Sequence, residues 1–368
     1  MSTSTSPVQG TTTQPISLRT RFSAWAEIMQ TANAPVDKPL DGLGKWLVMT
    51  RAAVFPMTLW SGTIGALLAV EQARLAPAGT ITIDWIAVML AVVGIVLAHA
   101  ANNLINDYFD MSQGIDTEGY VRALYAPHPV LSGWVTKATL RNVMVGLTVL
   151  GGLIMLLLAY WHGPLVIVFA LAGLFLSVFY VAPPFSLKRH GLGELDVFLT
   201  WGPLMIGGTY LVAVTPLDTG KLIQVMLFSM PYALLVTSVL FGKHIDKIEP
   251  DTKLGIHTVP VILGERTARR TNQLLMIAFY PLVLAAVLAG WVGPWVLLAV
   301  LAIPTLWSVL KVYNSPKPAG PPPWYPARGW PLWFVGFAFR HVRLAGFLLT
   351  IGLVLNVLVP VKLPLPWL

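Results

Sequence analysis

Residues 85–116, WIAVMLAVVGIVLAHAANNLINDYFDMSQGID, join a long apolar run to a cluster of asparagines and aspartates. A run of about 20 apolar residues is long enough to cross the hydrocarbon core of a bilayer as a helix. Asn103, Asn106, Asp107 and Asp110 follow at spacings of three and four, so they share one face if the helix continues past the membrane. The stretch therefore predicts a membrane helix whose tip carries a row of oxygen-bearing side chains.

The composition of the whole chain agrees with a membrane protein. Of the 368 residues, 56% are hydrophobic and only 11% are charged, which is too little polar surface to enclose a soluble core. Cysteine is absent, which excludes disulfides, thiolate metal sites and cysteine nucleophiles. We therefore expect an all-α, polytopic integral membrane protein.

Apolar runs of spanning length predict about nine transmembrane helices around a central cavity. Two pairs of these runs are separated only by short turn sequences, His162-Gly-Pro164 and Gly293-Pro294. Each pair therefore predicts a tight helical hairpin. The predicted spans are residues 46–70, 85–105, 140–161, 165–181, 197–214, 225–241, 274–292, 296–313 and 344–359.

The basic residues predict the orientation of these spans. All of the 24 Lys and Arg residues except Arg74, Lys221 and Lys362 fall on the side that holds the N-terminus and the even-numbered connections. By the positive-inside rule that side is cytoplasmic, and the C-terminus then lies on the opposite side. The net charge of +8 is explained by this topology and by anionic lipid, without nucleic acid. We expect a prokaryotic cell membrane, with residues 1–44 as a disordered or irregular tail and residues 45–368 as the transmembrane domain.

A second acidic cluster, Asp246, Glu249 and Asp251, follows the sixth predicted helix. An even number of crossings separates it from the first cluster, so both open on the same predicted face. Carboxylates gathered in this way repel one another unless a hard cation binds them, and Mg²⁺ is usually held by a few carboxylates together with substrate phosphates. We therefore predict Mg²⁺ as the cofactor; the candidate ligands are Asp107, Asp110, Asp116, Asp246, Glu249 and Asp251.

Three segments resemble the signatures of the UbiA superfamily of intramembrane prenyltransferases. They are NDYFDMSQGID at 106–116, YVAPPFSLKRHGLGE at 180–194 and DTKLGIHT at 251–258, in the order that the family shows. The resemblance extends from about residue 51 to about residue 270. Within the superfamily the first two segments are most similar to the 1,4-dihydroxy-2-naphthoate prenyltransferases of menaquinone synthesis. The resemblance implies that a polyprenyl diphosphate lies among the helices, with its headgroup held by the acidic motifs through Mg²⁺.

The resemblance also implies roles for individual residues. Asp107, Asp110 and Asp251 are expected to take part in catalysis, together with Lys188 and with Tyr180, whose ring would stabilise a carbocation. Cations facing a leaving diphosphate stabilise its developing charge. The candidate substrate-binding residues are Arg51, Asn103, Asn106, Arg122, Lys188, Lys247 and Lys253.

The sequence departs from the family pattern at three places. His128-Pro129 stands where the family commonly has Arg-Pro, and Lys247 stands where the family often has an acid. The connection from 315 to 331 is rich in proline and unlike the short relatives, and nothing in the sequence gives it a function.

The predicted reaction begins with ionisation of the allylic carbon–oxygen bond, assisted by Mg²⁺ and basic residues, which releases diphosphate. An electron-rich aromatic carbon then attacks the allylic cation and loses a proton or a carboxylate. The favoured acceptor is 1,4-dihydroxy-2-naphthoate; 4-hydroxybenzoate, haem, chlorophyllide and glyceryl phosphate remain open. A cation-coupled transporter is the alternative of another class, although such proteins place their charges near the bilayer midplane. A CDP-alcohol phosphotransferase is disfavoured because its Asp-Gly-x-x-Ala-Arg signature is missing. The expected partners are therefore a polyprenyl diphosphate, an aromatic acceptor and the lipid bilayer.

Overall fold

A computed structural model of the protein describes residues 17–35, 37–116, 127–325 and 329–361. Helices make up nearly all of its regular structure, as the sequence predicts. Two short helices come first, α1 (Leu18–Thr31) and α2 (Gly42–Met49). Within the described residues, eight later helices are long and apolar enough to cross a membrane: α3 (Ala52–Leu75), α4 (Trp85–Ser112), α5 (Lys137–His162), α7 (Gly193–Ala213), α8 (Thr219–Ile245), α11 (Glu265–Leu288), α12 (Pro294–Tyr313) and α13 (Phe334–Leu358). The remaining helices are α6 (Leu165–Phe179), α9 (Ile248–Lys253) and α10 (Val259–Leu263).

Each of the nine predicted spans overlaps one helix, namely the eight long helices and α6. With 15 residues, α6 is shorter than the roughly 20 that a straight crossing requires, so the count of nine is approximate. Helices α11 and α13 begin about ten residues before their predicted starts. The first turns of both helices contain two or three arginines, and this charge interrupts the apolar run from which a membrane helix is predicted.

The prediction of an irregular tail is wrong for residues 18–31, which form α1. Ser17 caps this helix by accepting a hydrogen bond from the backbone N–H of Thr20, and Trp25 donates to Asp41 across 3.0 Å. Asp41 in turn caps α2 by accepting from Gly44. The carbonyl of Met29 accepts a hydrogen bond from Arg343 of α13, so α1 is joined to the last membrane helix. Residues 1–16 lie outside the described part of the chain.

Helix α8 lies at the centre of the bundle and α5 at its rim. In α8, 72% of the most apolar window is buried within the protein, whereas in α5 the share is 6%. Helix α13 packs against α3, α8 and α12, so the first and last membrane helices are neighbours. Gly352 permits the close contact with α12, because a Cβ there would meet the backbone oxygen of Trp295 at 2.4 Å.

A two-stranded ribbon shows that the start of α4 and the end of α7 lie at the same end of the molecule. Strand β1 (Thr82–Ile83) precedes α4 and pairs antiparallel with β2 (Val214–Thr215), which follows α7. The ribbon therefore lies at the end of the molecule opposite to the polar tip of α4. Helix α7 runs antiparallel to α4, and its first turn lies at the same end as that tip.

Candidate active site

The tip of α4 presents its four predicted polar residues as one buried row. Helix α4 continues to Ser112, as the sequence predicts, and Asp107 is completely buried. Arg51 spans this row: its guanidinium donates to Asn103 Oδ1 at 2.9 Å and lies 2.6 Å from Asp107 Oδ1. Asn103 also donates to the carbonyl of Thr50, so two contacts attach the start of α3 to α4.

Arg51 occupies an unusual backbone position between α2 and α3. Its φ of 53° lies in the left-handed region, which non-glycine residues rarely adopt. This turn directs the guanidinium toward the tip of α4. Asn106 extends the network when its amide oxygen faces Arg51: it then accepts at 3.3 Å and donates to Asp110 Oδ2 at 2.8 Å. Arg51 and the four predicted site residues of α4 therefore form one connected unit, which consists of Arg51, Asn103, Asn106, Asp107 and Asp110.

Lys188 joins the second motif to the first. It lies in a 3₁₀ turn, Leu187–His190, and its buried ammonium is 2.8 Å from Asp110 Oδ2. The backbone N–H of Lys188 donates to the carbonyl of Tyr180, which holds the turn against the end of α6. Tyr180 is buried, and a Cβ added at Gly193 would meet its ring at 3.1 Å. The Tyr180 ring therefore lies against the first turn of α7, next to Glu194.

The third motif lies against the first two. Asp251 is completely buried and lies 3.3 Å from the ammonium of Lys247. Ile256 accounts for its position: the Ile256 N–H donates to the Asp251 carbonyl, and the side chain packs on Ile115, next to Asp116. The following residue, His257, donates its N–H to the carbonyl of Arg189. The two acidic segments consequently lie at the same end of the molecule and touch through these contacts.

Asp116 and His128 extend the first acidic segment. The N–H of Asp116 donates to the carbonyl of Asp110, and His128 Nε2 lies 3.8 Å from Asp116 Oδ2. The same nitrogen is 3.2 Å from the carbonyl oxygen of Asp107. The sequence analysis noted His128 only as a departure from the family pattern, although that position was the signal that could have identified it as a site residue.

Asp246 was predicted as a metal ligand, but the structure gives its carboxylate a different partner. Its two oxygens accept hydrogen bonds from the backbone N–H groups of Trp333, Phe334 and Val335 at 2.9 to 3.0 Å. These are donors at the start of α13 that the helix cannot itself satisfy. Burial raises the pKa of Asp246 to about 6, an effect opposed by nearby Lys317 and these N–H groups. Asp246 therefore caps α13 with both of its carboxylate oxygens.

Glu249 and Lys253 are likewise not brought into the buried cluster. They form an exposed pair on α9, 2.7 Å apart, with about three quarters of each side chain open to solvent. Asp251 lies on the opposite, buried face of the same short helix. Arg122 was also predicted to bind substrate, but it lies outside the residues that the structure describes.

Sequence analysis missed two buried acids at the start of α7. Glu194 Oε1 is 2.7 Å from His244 Nδ1 of α8, which fixes α7 against the centre of the bundle. Asp196 follows two positions later and is also buried. Glu194 ends the second motif and was quoted for that reason alone; Asp196 had no signal beyond being an acid within an apolar run.

The donor set of the cluster fits a hard divalent cation. Asp107, Asp110 and Asp251 are buried carboxylates, the oxygen ligands that such a cation prefers. Among the described residues no three acidic or histidine side chains converge into a preformed metal cage. That is the expected arrangement for Mg²⁺, which is commonly held by one or two carboxylates plus the phosphates of a substrate.

A mainly apolar cavity of about 260 Å³ lies between α4, α5, α6 and α7. Ile105 lines it and also packs against Tyr180 and Val181, so the cavity reaches the cluster just described. Its walls include Leu171 and Leu174 of α6, whose side chains are partly exposed.

Comparison with protein families identifies the class to which this fold and site belong. The pattern of the UbiA prenyltransferase family matches residues 58–335. The chain therefore belongs to the UbiA prenyltransferase family, in agreement with the resemblance of its three motifs.

Individual relatives agree with this assignment. A 1,4-dihydroxy-2-naphthoate octaprenyltransferase from Haemophilus influenzae is 26% identical over 286 residues, 76% of this chain and 89% of that protein. The Bacillus subtilis enzyme of the same name is 26% identical over 55% of this chain and 63% of its own length. The UbiA prenyltransferase domain-containing protein 1 of Dictyostelium discoideum is 24% identical over 61% of this chain and 66% of its own length. The last two matches cover slightly less than two thirds of each relative.

Solved structures share the fold at low sequence identity. The apo structure of a UbiA homologue from Aeropyrum pernix superposes with a TM-score of 0.61 at 16% identity, covering 82% of this chain and 97% of that one. A UbiA homologue from Archaeoglobus fulgidus bound to GPP and Mg²⁺ superposes with a TM-score of 0.53 at 13% identity, over 84% and 99% of the two chains.

Proposed function

We propose that this protein transfers a polyprenyl group from a polyprenyl diphosphate to an aromatic acceptor, with 1,4-dihydroxy-2-naphthoate as the favoured acceptor. The observation that carries the proposal is the meeting of two acidic segments around buried basic residues, with Lys188 bound to Asp110 at 2.8 Å. The names of the bacterial relatives support the acceptor, and the GPP and Mg²⁺ of the archaeal homologue support the donor and the cofactor.

The buried acids are assigned to the cofactor. Asp107, Asp110 and Asp251 would hold Mg²⁺, and Asp116 lies near enough to the first two to assist. When bound, Mg²⁺ would act as a Lewis acid that neutralises the negative charge of the diphosphate. Asp246, which caps α13, and Glu249, which lies on the surface, are not included in this ligand set.

The basic residues are assigned to the departing diphosphate. Arg51, Lys188 and Lys247 each already contact one carboxylate of the cluster, at 2.6 to 3.3 Å. They therefore lie where a negatively charged leaving group would sit, and their charges would stabilise it as the allylic carbon–oxygen bond breaks. The Tyr180 ring, which packs on Ile105 of α4, would face the resulting carbocation, and the surrounding apolar side chains would exclude the water that would quench it.

The orientation in the membrane is part of the proposal. The motif end of the bundle carries most basic residues and would face the cytoplasm, which places the end of α13 on the other side. A prokaryotic cell membrane is the proposed location; the relatives include bacterial and eukaryotic proteins alike. The position of the carboxylates at helix tips also disfavours a cation-coupled transporter, whose ion sites lie near the midplane.

A transfer assay tests this function. Purified protein in lipid nanodiscs is incubated with labelled geranylgeranyl diphosphate and with 1,4-dihydroxy-2-naphthoate, 4-hydroxybenzoate or glyceryl phosphate, with Mg²⁺ or with EDTA. We expect a prenylated lipid product from the naphthoate that requires Mg²⁺. The Asp107→Asn variant is expected to lose the product, while the surface variant Glu249→Gln serves as a matched control. Absence of metal-dependent product with every acceptor would refute the proposal.

A further inference from the structure

The cavity between α4, α5, α6 and α7 has one polar end, formed around Asp196. This carboxyl is buried, and its Oδ1 accepts a hydrogen bond from Thr200 at 3.2 Å. Its Oδ2 has no hydrogen-bond partner among the described residues, and Asp196 lines the cavity. A buried acceptor that stays unsatisfied costs free energy, so a ligand donor that reaches Oδ2 would gain more than an ordinary hydrogen bond.

Polar groups of several types surround the same end. The indole Nε1 of Trp201 is also buried without a partner in the described chain, and Trp201 stacks edge-on against His99 with ring centroids 5.1 Å apart. Asn102 lines the cavity as well, and its Oδ1 accepts from Ser177 at 3.2 Å. Donors, an acceptor and aromatic rings therefore converge where the apolar walls end, an arrangement typical of a small-molecule site.

The charge of the residues that line the cavity limits the class of ligand that can bind there. Among the described residues that line it, Asp196 is the one acid, and neither Lys nor Arg contributes. A diphosphate or another anion would meet a carboxyl and no counter-charge there. A plain polyprenyl chain would fill the volume but leave Oδ2 and the Trp201 N–H unsatisfied. A neutral aromatic ring bearing a hydroxyl would avoid the repulsion from Asp196, and its hydroxyl would supply a hydrogen-bond donor to Oδ2.

The location connects the polar end to the proposed reaction. Tyr180 packs against the first turn of α7: a Cβ added at Gly193, three residues before Asp196, would meet Tyr180 Cε2 at 3.1 Å. Ile105 lines the cavity and packs on Tyr180. A ring held at Asp196 would therefore lie beside the tyrosine that we assign to the allylic carbon.

We propose that this cavity binds the acceptor as a phenol or quinol, with the ring hydroxyl donating to Asp196 Oδ2 and the ring packing near Trp201. The identity of the ligand as the acceptor rests on the proposed function; the binding site itself rests on the cavity. Any carboxylate that the acceptor carries would point away from Asp196, toward the basic cluster.

Glycines in the cavity wall offer a way to test occupancy without disturbing the fold. A Cβ added at Gly173 of α6 would meet nothing within 4 Å, and Gly173 lines the cavity. Gly146 of α5 is equally open but does not line the cavity, so it is the matched control. Both glycines lie inside helices, where a larger residue is ordinarily no worse than glycine for helix stability.

The experiment compares binding of 1-naphthol with binding of naphthalene, which lacks the hydroxyl, to the full chain in nanodiscs without Mg²⁺ or prenyl donor. We expect the wild-type protein to bind 1-naphthol about tenfold more tightly, the ratio that a hydrogen bond to a charged or buried acceptor supports. In Asp196→Leu the affinity ratio of 1-naphthol to naphthalene is expected to fall to about one. In Thr200→Val, which keeps the Asp196 carboxyl, this ratio is expected to stay at about tenfold. Gly173→Leu is expected to weaken both ligands, and Gly146→Leu neither.

Two results would overturn the inference. One is an unchanged preference for 1-naphthol in Asp196→Leu; the other is unchanged binding of both ligands in Gly173→Leu. Since the assay contains no donor, its outcome is independent of transfer. If the protein binds the ligands with the predicted pattern but transfers no prenyl group, the proposed function is refuted and the binding site still stands. If it transfers a prenyl group but lacks this binding pattern, the binding site is refuted and the proposed function still stands.

Discussion

The ammonium of Lys188 lies 2.8 Å from Asp110 Oδ2, although 78 positions separate the two residues in the chain. The contact attaches the 3₁₀ turn after α6 to the tip of α4. Both groups are buried, so each charge depends on the other for its stability. This pair is the core of the candidate site, because it fixes a positive charge beside the acid that we assign to Mg²⁺.

Replacing Lys188 by Met is expected to lower kcat for prenyl transfer by about 10²- to 10³-fold, the effect of removing one group that stabilises developing charge. Lys253→Met is the matched control: Lys253 is exposed and pairs with Glu249 on the surface, so kcat is expected to stay the same. Steady-state kinetics of protein that elutes as a single species in size-exclusion chromatography provide the measurement. Equal kcat values for Lys188→Met and the wild type would remove Lys188 from the mechanism.

Replacing Asp246 by Ala tests its assignment as a helix cap. The change leaves three backbone N–H groups at the start of α13 without their acceptor, so we expect the unfolding free energy to fall by about 1–3 kcal/mol. Thermal unfolding in detergent is the measurement. The Mg²⁺ concentration for half-maximal activity is expected to stay within about twofold of the wild type, since both Asp246 oxygens are already bonded to the start of α13. A large rise in that concentration with unchanged stability would restore Asp246 as a metal ligand.

Replacing Ile256 by Ala removes the apolar contact that joins the two acidic segments. A buried Ile→Ala change commonly costs about 2–5 kcal/mol, and here it removes the packing of residue 256 on Ile115. We expect the KM for the polyprenyl diphosphate to rise several-fold, because both segments are assigned to its headgroup. Ile262→Ala, at an exposed site on the neighbouring helix α10, is the control. An unchanged KM in a destabilised Ile256→Ala protein would show that this contact serves stability alone.

Replacing Arg51 by Lys keeps the charge but loses the planar guanidinium that reaches Asn103 and Asp107 together. A lysine ammonium can serve one of these partners well but not both. We expect kcat/KM to fall by about tenfold or more while the protein stays folded. Full activity in Arg51→Lys would mean that charge alone matters at this position.

The sequence predicted much of this structure because the signals involved are local. Apolar runs identify membrane helices, and the three-four spacing from Asn103 to Asp110 identifies one face of α4. The structure separates the three acids that were predicted together in the second segment, because the surroundings of each depend on its tertiary partners. Asp246, Glu249 and Asp251 are close in sequence and chemically similar, yet one caps α13, one faces solvent and one is buried. Neither the N–H groups at Trp333 nor the contact of Ile256 with Ile115 can be inferred from spacing.

The central claim is that both acidic segments hold one diphosphate through Mg²⁺, and calorimetric binding of inorganic pyrophosphate tests it most directly. The account predicts that the wild-type protein binds pyrophosphate only when Mg²⁺ is present. It predicts that Asp107→Asn, on the first segment, and Asp251→Asn, on the second, each weaken that binding by about tenfold or more, while Glu249→Gln leaves it unchanged. Wild-type affinity in either aspartate variant, in protein that remains folded, would contradict the claim.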